Sequence, residues 1–248
     1  ISYKLFGYSA LSLRLPNLLS FIPYAVFVYL IGLSFKKQLV KWGFYVAMLL
    51  PLYFLQFFAL CRGYGMSMAF LLGSLYFTMR LYEEKSFKLV WLNSICLVLA
   101  VFANMSLLPL ILLLFLMQLI LVFKNNYQFV RLLPVVLFSI TMLAIAVIIS
   151  FKMKNEGSLY YGERDGFWDV TVVSQLLMLF DTTSIYLQIG LLCLILFVLG
   201  VFVFHFLKEK SNFGFLKENL FIILLIDVVI LTFLLEVILG INYPEDRV

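Results

Sequence analysis

The sequence predicts an all-α, polytopic membrane protein, and three observations predict it. Of its 248 residues 65% are hydrophobic, against about 45–50% in soluble domains. The mean hydropathy is +1.10. Charged residues make up only 12%, about half the usual share, and they gather in short segments between long apolar runs. No soluble fold of this size hides so much apolar surface.

A helix rises about 1.5 Å per residue and must cover roughly 30 Å of hydrocarbon, so about 20 apolar residues make one span. Read on that rule, the chain offers about eight spans: 17–35, 42–60, 65–82, 88–104, 106–123, 132–151, 185–206 and 219–241. The first is preceded by Arg14 and has Pro16 in its first turn, where a missing N–H is tolerated. The second follows Lys36, Lys37 and Lys41. The third follows "CRGYG", and its Ala69 and Gly73 form a small-residue pair that lets helices approach. Only Asn104-Met-Ser divides the fourth from the fifth. One helix of that combined length would be twice too long, so a tight turn is expected there. The sixth runs into Lys152 and Lys154. The seventh ends in a basic loop holding His205, Lys208 and Lys210. The eighth contains Asp227 and Glu236. All of 1–248 reads as a single transmembrane domain, with no repeat of fixed period and no half-length pair of broken helices.

The largest stretch outside these spans is 152–184. Its first half is polar. Its second half places Phe167, Val170, Val173, Leu177 and Phe180 at helical spacing, which predicts a short helix lying in the membrane interface. The chain opens on Ile1 with no leader before it and closes on "NYPEDRV", so it reads as a fragment of a longer protein.

Loop charge gives an orientation. One set of loops carries Lys36, Lys37, Lys41, Arg80, Lys85, Lys88, Lys124, Arg131, Lys208, Lys210 and Lys217, against only Glu83, Glu84, Glu209 and Glu218. The alternate set carries as many acids as bases. The first set is therefore expected on the cytoplasmic side. The alternate set, with Arg14, Arg62, Arg164 and Arg247, is expected to face outward.

The net charge of +5 does not imply nucleic acid, because the lysines follow membrane topology rather than one binding face. Three separated cysteines (Cys61, Cys96, Cys193) give neither a disulfide framework nor a metal knuckle. One histidine leaves no His-based metal site and no Ser-His-Asp triad. No Walker A or dinucleotide glycine motif is present, and the cytoplasmic loops are too short for a nucleotide-sugar domain.

Arginine has a planar fork suited to phosphate. Arg14, Arg62 and Arg247, with Tyr64 beside Arg62, are the candidate phosphate-binding set. The glycines of "GYG" let the backbone come close to a ligand. The competing reading is that arginines at helix ends reach lipid headgroups. Glu163, Asp165 and Asp169 in the large loop are candidates for an acceptor or a divalent metal, or are solvated loop carboxylates. In the last span Glu236 can face the same outer cavity, whereas Asp227 reaches the cytoplasmic interface. These two lie on opposite helix faces.

"KLFGYSALSLRLPNLLSFIPYAVFVYLIG" and "FALCRGYGMSMAFLLGSLYF" resemble two segments of GT-C superfamily membrane glycosyltransferases. The nearest branch is that of protein O-mannosyltransferases and aminoarabinose-type lipid A transferases. "GINYPEDRV" looks like an outer loop of the same family. The resemblance implies transfer of a sugar from a polyprenyl phosphate to a lipid, glycan or protein acceptor, on the outer face of a bacterial inner membrane. It would place Arg14, Arg62 and Tyr64 near the donor phosphate and Arg247 at the rim. The family's catalytic acid lies upstream of the "FG" phrase, before Ile1, so no catalytic base is named here. Two other readings use the same basic outer face: an O-antigen polymerase or ligase, and a flippase for lipid-linked oligosaccharide. Membrane lipids are partners on any of the three.

Overall fold

The computed structural model describes residues 10–60, 63–124, 127, 129–156, 173 and 184–208. Among these the chain is helical and contains no strand. The helices are α1 (Ala10–Leu19), α2 (Phe21–Gly32), α3 (Gln38–Leu49), α4 (Leu52–Ala59), α5 (Tyr64–Glu83), α6 (Phe87–Ala103), α7 (Leu108–Lys124), α8 (Phe129–Asn155) and α9 (Ile185–Lys208). The chain divides into two compact units, Ile1–Lys152 and Met153–Val248. In the second unit α9 starts beyond Ser184, whose carbonyl accepts the amides of Leu187 and Gln188.

Among the described residues three stretches are long and apolar enough to cross a membrane: Ser12–Gly32, Met105–Lys124 and Leu132–Met153. The chain is a membrane protein on that ground. The finer expectation of about eight spans is not confirmed among the described residues, and the reasons there are local. The expected span 42–60 is broken at Leu50–Pro51 into α3 of 12 residues and α4 of 8. Pro51 has no N–H to donate and adopts an extended backbone, φ −61° and ψ 116°, so the ladder stops and restarts. A half-length pair therefore exists where none was expected. Polar and glycine residues lower the hydropathy of α5, and α6 is short at 17 residues. The expected span 219–241 and the interfacial helix within 152–184 lie outside the described residues.

Pro16 also sits differently from expectation. The helix begins at Ala10, so Pro16 falls well inside α1 rather than in a first turn. The chain nevertheless carries on from α1 into α2. Ser20 N bonds Pro16 O at 3.2 Å and Tyr24 N bonds Ser20 O at 3.1 Å. The turn expected between α6 and α7 is present. Asn104 leaves the helix at φ −151°, and its Oδ1 accepts from Ser106 N at 3.1 Å and Ser106 Oγ at 2.7 Å. A single-turn 3-10 helix, Met105–Leu107, follows.

Side-chain pairs fix the direction of each helix in the first unit. Asn17 meets Met66, while Phe27 meets Tyr76 and Phe77, so α1–α2 and α5 run parallel. Gly63 abuts Ala103 and Thr78 meets Asn93, so α6 returns antiparallel. Gln118 reaches Val90 and Ser94, so α7 reverses again. Trp91 meets Phe138 and Met105 meets Ser150, so α8 runs parallel to α6. Ala69 is fully buried, and a Cβ on Gly73 would lie 2.9 Å from Phe27 and 3.1 Å from Cys96 Sγ. The small pair thus brings α2, α5 and α6 close.

One end of this bundle holds Asn17, Leu60, Gly63–Met66, Ala103–Ser106 and Ser150. The opposite end holds Lys36–Lys41, Arg80–Lys88 and Lys124. The basic loops grouped by charge therefore do share an end within this unit.

Candidate functional site

The end that carries Arg14 and Tyr64 is organised by Asn17, which is 4% exposed. Its Nδ2 donates to Phe57 O at 2.6 Å, Phe58 O at 3.1 Å and Leu60 O at 2.7 Å. Its Oδ1 accepts from Met66 N at 3.0 Å. The last carbonyls of a helix and its first amides have no partner within the helix. Asn17 supplies both kinds at once, for the end of α4 and the start of α5. The residue at the N-cap of α5, Gly63, has no side chain to do this. Both flanks of the Cys61–Arg62 dipeptide are thereby tied to α1.

The two glycines of "GYG" serve this closure. Gly63 has φ +71°, a left-handed conformation that costs other L-residues about 1–2 kcal/mol. A Cβ there would lie 2.5 Å from Ala103 O. A Cβ on Gly65 would lie 2.4 Å from the Phe58 ring and 3.0 Å from Asn17 Oδ1. The close approach expected toward a ligand is taken up by the protein itself. Phe58 in turn packs on Phe21 and Tyr24 at centroid distances of 5.3 and 5.0 Å.

Of the expected site residues, two are described. Arg14 is exposed, one helical turn before Asn17. Tyr64 is half-buried, its ring edge-on to Phe57 at 5.4 Å, and its carbonyl accepts from Ser67 Oγ at 2.8 Å. The Asn17 clamp joins the helix of the one to the helix of the other. Arg62, Glu163, Asp165, Asp169, Glu236 and Arg247 lie outside the described residues, as do Arg164 and Asp227. Among the described residues no group of three or more His, Cys, Asp or Glu side chains gathers.

The charge balance of this end is one-sided. The first unit, Ile1–Lys152, contains two carboxylates, Glu83 and Glu84, and both sit at the opposite end. Arg14 belongs to the end of that unit where the sequence up to Lys152 holds no acid, and Glu156 follows Lys152 by four residues. Such an end attracts anions and offers no side-chain general base from this unit.

Reading charges alone missed a second polar feature, a buried network where α5, α6 and α7 meet. Asn93 Nδ2 donates to Thr78 Oγ1 at 3.1 Å and Gln118 Oε1 at 3.0 Å. Gln118 Nε2 donates to Ser94 Oγ at 2.7 Å and Val90 O at 3.3 Å. All four side chains are essentially sealed from solvent. Asn93 Oδ1 and Ser74 Oγ are left without a partner. The signal was an amide standing alone in each of two apolar runs. Interhelical bonds of this kind contribute about 0.6–2 kcal/mol each in a bilayer. Gln118→Leu is expected to lower stability by about 2 kcal/mol, because it strands the Asn93 amide. The double variant with Asn93→Leu should lose less than the sum of the singles, since both partners leave together. A double-mutant cycle by detergent unfolding reads this directly.

No protein-family model matches this chain, and no curated protein or solved structure matches it either. The likeness to GT-C transferases therefore rests on the three sequence patches alone.

Proposed function

We propose that this chain is part of a membrane glycosyltransferase that takes a sugar from a polyprenyl-phosphate donor. The acceptor is a lipid, glycan or protein, and the reaction takes place on the outer face of a bacterial inner membrane. The observation that carries the reading is the end of the first unit that carries Arg14, whose sequence up to Lys152 holds no acid. There Asn17 ties the helix of Arg14 to both flanks of Arg62. A leaving polyprenyl phosphate needs its charge held, and arginine forks do that. The positive-inside rule puts this end outward, since the lysine-rich loops lie at the other. The acceptor's proton needs a carboxylate, and the first unit has none at this end.

The broken pair α3–α4 favours a second reading, a carrier of lipid-linked oligosaccharide, because interrupted helices line substrate paths in transporters. One experiment separates the two. The purified protein is titrated with undecaprenyl monophosphate and, as control, undecaprenol. The phosphate should bind at least about tenfold tighter, as one charged contact is worth about 1.5–3 kcal/mol. Arg62→Ala should abolish that preference, and Arg62→Lys should restore only part of it, since a point charge lacks the fork. Equal binding of alcohol and phosphate removes the reading. Phosphate binding with lipid translocation in vesicles, and no sugar release from a polyprenyl-phosphate sugar, selects the carrier.

A further inference from the structure

The other end of the bundle carries a feature that the sugar-transfer reading does not use. The link from α2 to α3 places Lys36 and Lys37, both exposed, one turn before Lys41. None of the three makes an ion pair among the described residues. Lys41 instead sets its ammonium 5.9 Å from the centre of the Tyr45 ring. The neighbouring basic loop differs. There Arg80, Lys85 and Lys88 share a short stretch with Glu83 and Glu84, and Arg80 is paired with Glu84. The α2–α3 hairpin is thus a concentrated, uncompensated positive patch at this end.

Beside the patch runs an apolar stripe. Leu39 is 86% exposed, Trp42 63% and Val46 52%. At about 100° per residue these three fall within roughly 60° of one face of α3. Elsewhere on α3, Phe44 meets Phe35 of the link at 5.2 Å, Tyr45 stacks on Tyr29 of α2 and lies edge-on to Trp42 at 5.8 Å, and Tyr45 Oη donates to Tyr29 O at 3.1 Å. α3 has no buried residue, so the stripe is left open along its length. A tryptophan and lysines at one helix end, continuous with open apolar side chains, match a lipid with a charged head and acyl chains. A small hydrated anion would match the lysines and leave Leu39, Trp42 and Val46 facing water.

We propose that the Lys36–Lys37–Lys41 patch and the Leu39–Trp42–Val46 stripe form a binding site for one anionic phospholipid, its headgroup on the lysines and its chains along α3. The proposal depends on the membrane assignment and is independent of the sugar-transfer reading.

The test uses Trp42 as reporter in the full chain, with Trp91→Phe and Trp168→Phe. The protein is reconstituted in phosphatidylcholine vesicles containing a fixed fraction of bromine-labelled phosphatidylglycerol or bromine-labelled phosphatidylcholine. Bromine on the chains quenches a tryptophan that it touches. The labelled phosphatidylglycerol should quench Trp42 with at least about fivefold higher apparent affinity, as each lysine near an anionic headgroup contributes about a factor of five. Lys36→Gln, Lys37→Gln and Lys41→Gln should each reduce the preference, and salt should reduce it in the parent. The single variants and the salt series keep the test decisive where a triple variant does not insert. Equal quenching by the two lipids overturns the site. So does relief of quenching by millimolar glycerol phosphate, which shows a soluble-anion site instead. Protection of Trp42 from both lipids also overturns it and shows that protein covers the stripe.

Discussion

Asn17→Ala is expected to lower the unfolding free energy by about 3–5 kcal/mol, the largest effect of any single side-chain truncation in the first unit. The side chain is buried and makes four hydrogen bonds, all to backbone. Removing it takes away two N–H donors, shared among three carbonyls at the end of α4, and the acceptor of the Met66 amide at the start of α5. Each stranded buried group costs about 1–3 kcal/mol, and relaxation or entering water recovers part of the sum. Asn17→Asp keeps the shape but turns the donor into an acceptor facing three carbonyl oxygens, so it should be no better than alanine. Ser20→Ala, which removes one local bond to Asn17 O, should cost about 1 kcal/mol. Detergent-induced unfolding in mixed micelles ranks the three. An Asn17→Ala loss no larger than that of Ser20→Ala would show that the clamp does not hold the two helix ends. On the proposed function, undecaprenyl phosphate affinity should fall with Asn17→Ala even at temperatures where the variant is fully folded.

Gly63→Ala is expected to cost about 3 kcal/mol or more, from two sources that add. The backbone is left-handed at φ +71°, which alone costs about 1–2 kcal/mol for an L-residue. The new methyl would also stand 2.5 Å from Ala103 O, a backbone atom that cannot swing aside. To make room, the start of α5 and the end of α6 must separate. Gly65→Ala supplies the comparison. Its Cβ meets the Phe58 ring, a side chain that can rotate at some loss of packing, and its backbone is ordinary helix. It should cost about 1–2 kcal/mol. If the two substitutions cost the same, the Ala103 contact and the left-handed turn do not govern this hinge.

The class of the protein and the grouping of the first unit's basic loops were legible in the sequence. A bilayer imposes composition and length on anything that crosses it, and it sorts lysines to one side, so both leave a pattern readable without partners. The turn at Asn104-Met-Ser was legible for a similar reason, since one helix there would overrun the membrane. The break at Pro51 was present in the letters but hidden by continuous hydropathy, which averages over the one residue that cannot donate.

The organisation of the Arg14 end was not legible. "GYG" looked like an opening for a ligand, because glycine shows only that something comes close. The tertiary structure decided that Asn17, Phe58 and Ala103 are what come close. The bonds of Asn17 reach partners 40 to 49 residues away, and no local rule of spacing can pair them. The Asn93–Gln118 network likewise depends on α6 and α7 lying side by side. Sequence determined which residues the membrane will accept and at which end charge collects. Only packing decided which buried polar groups satisfy one another, because that depends on distances between helices that composition does not encode.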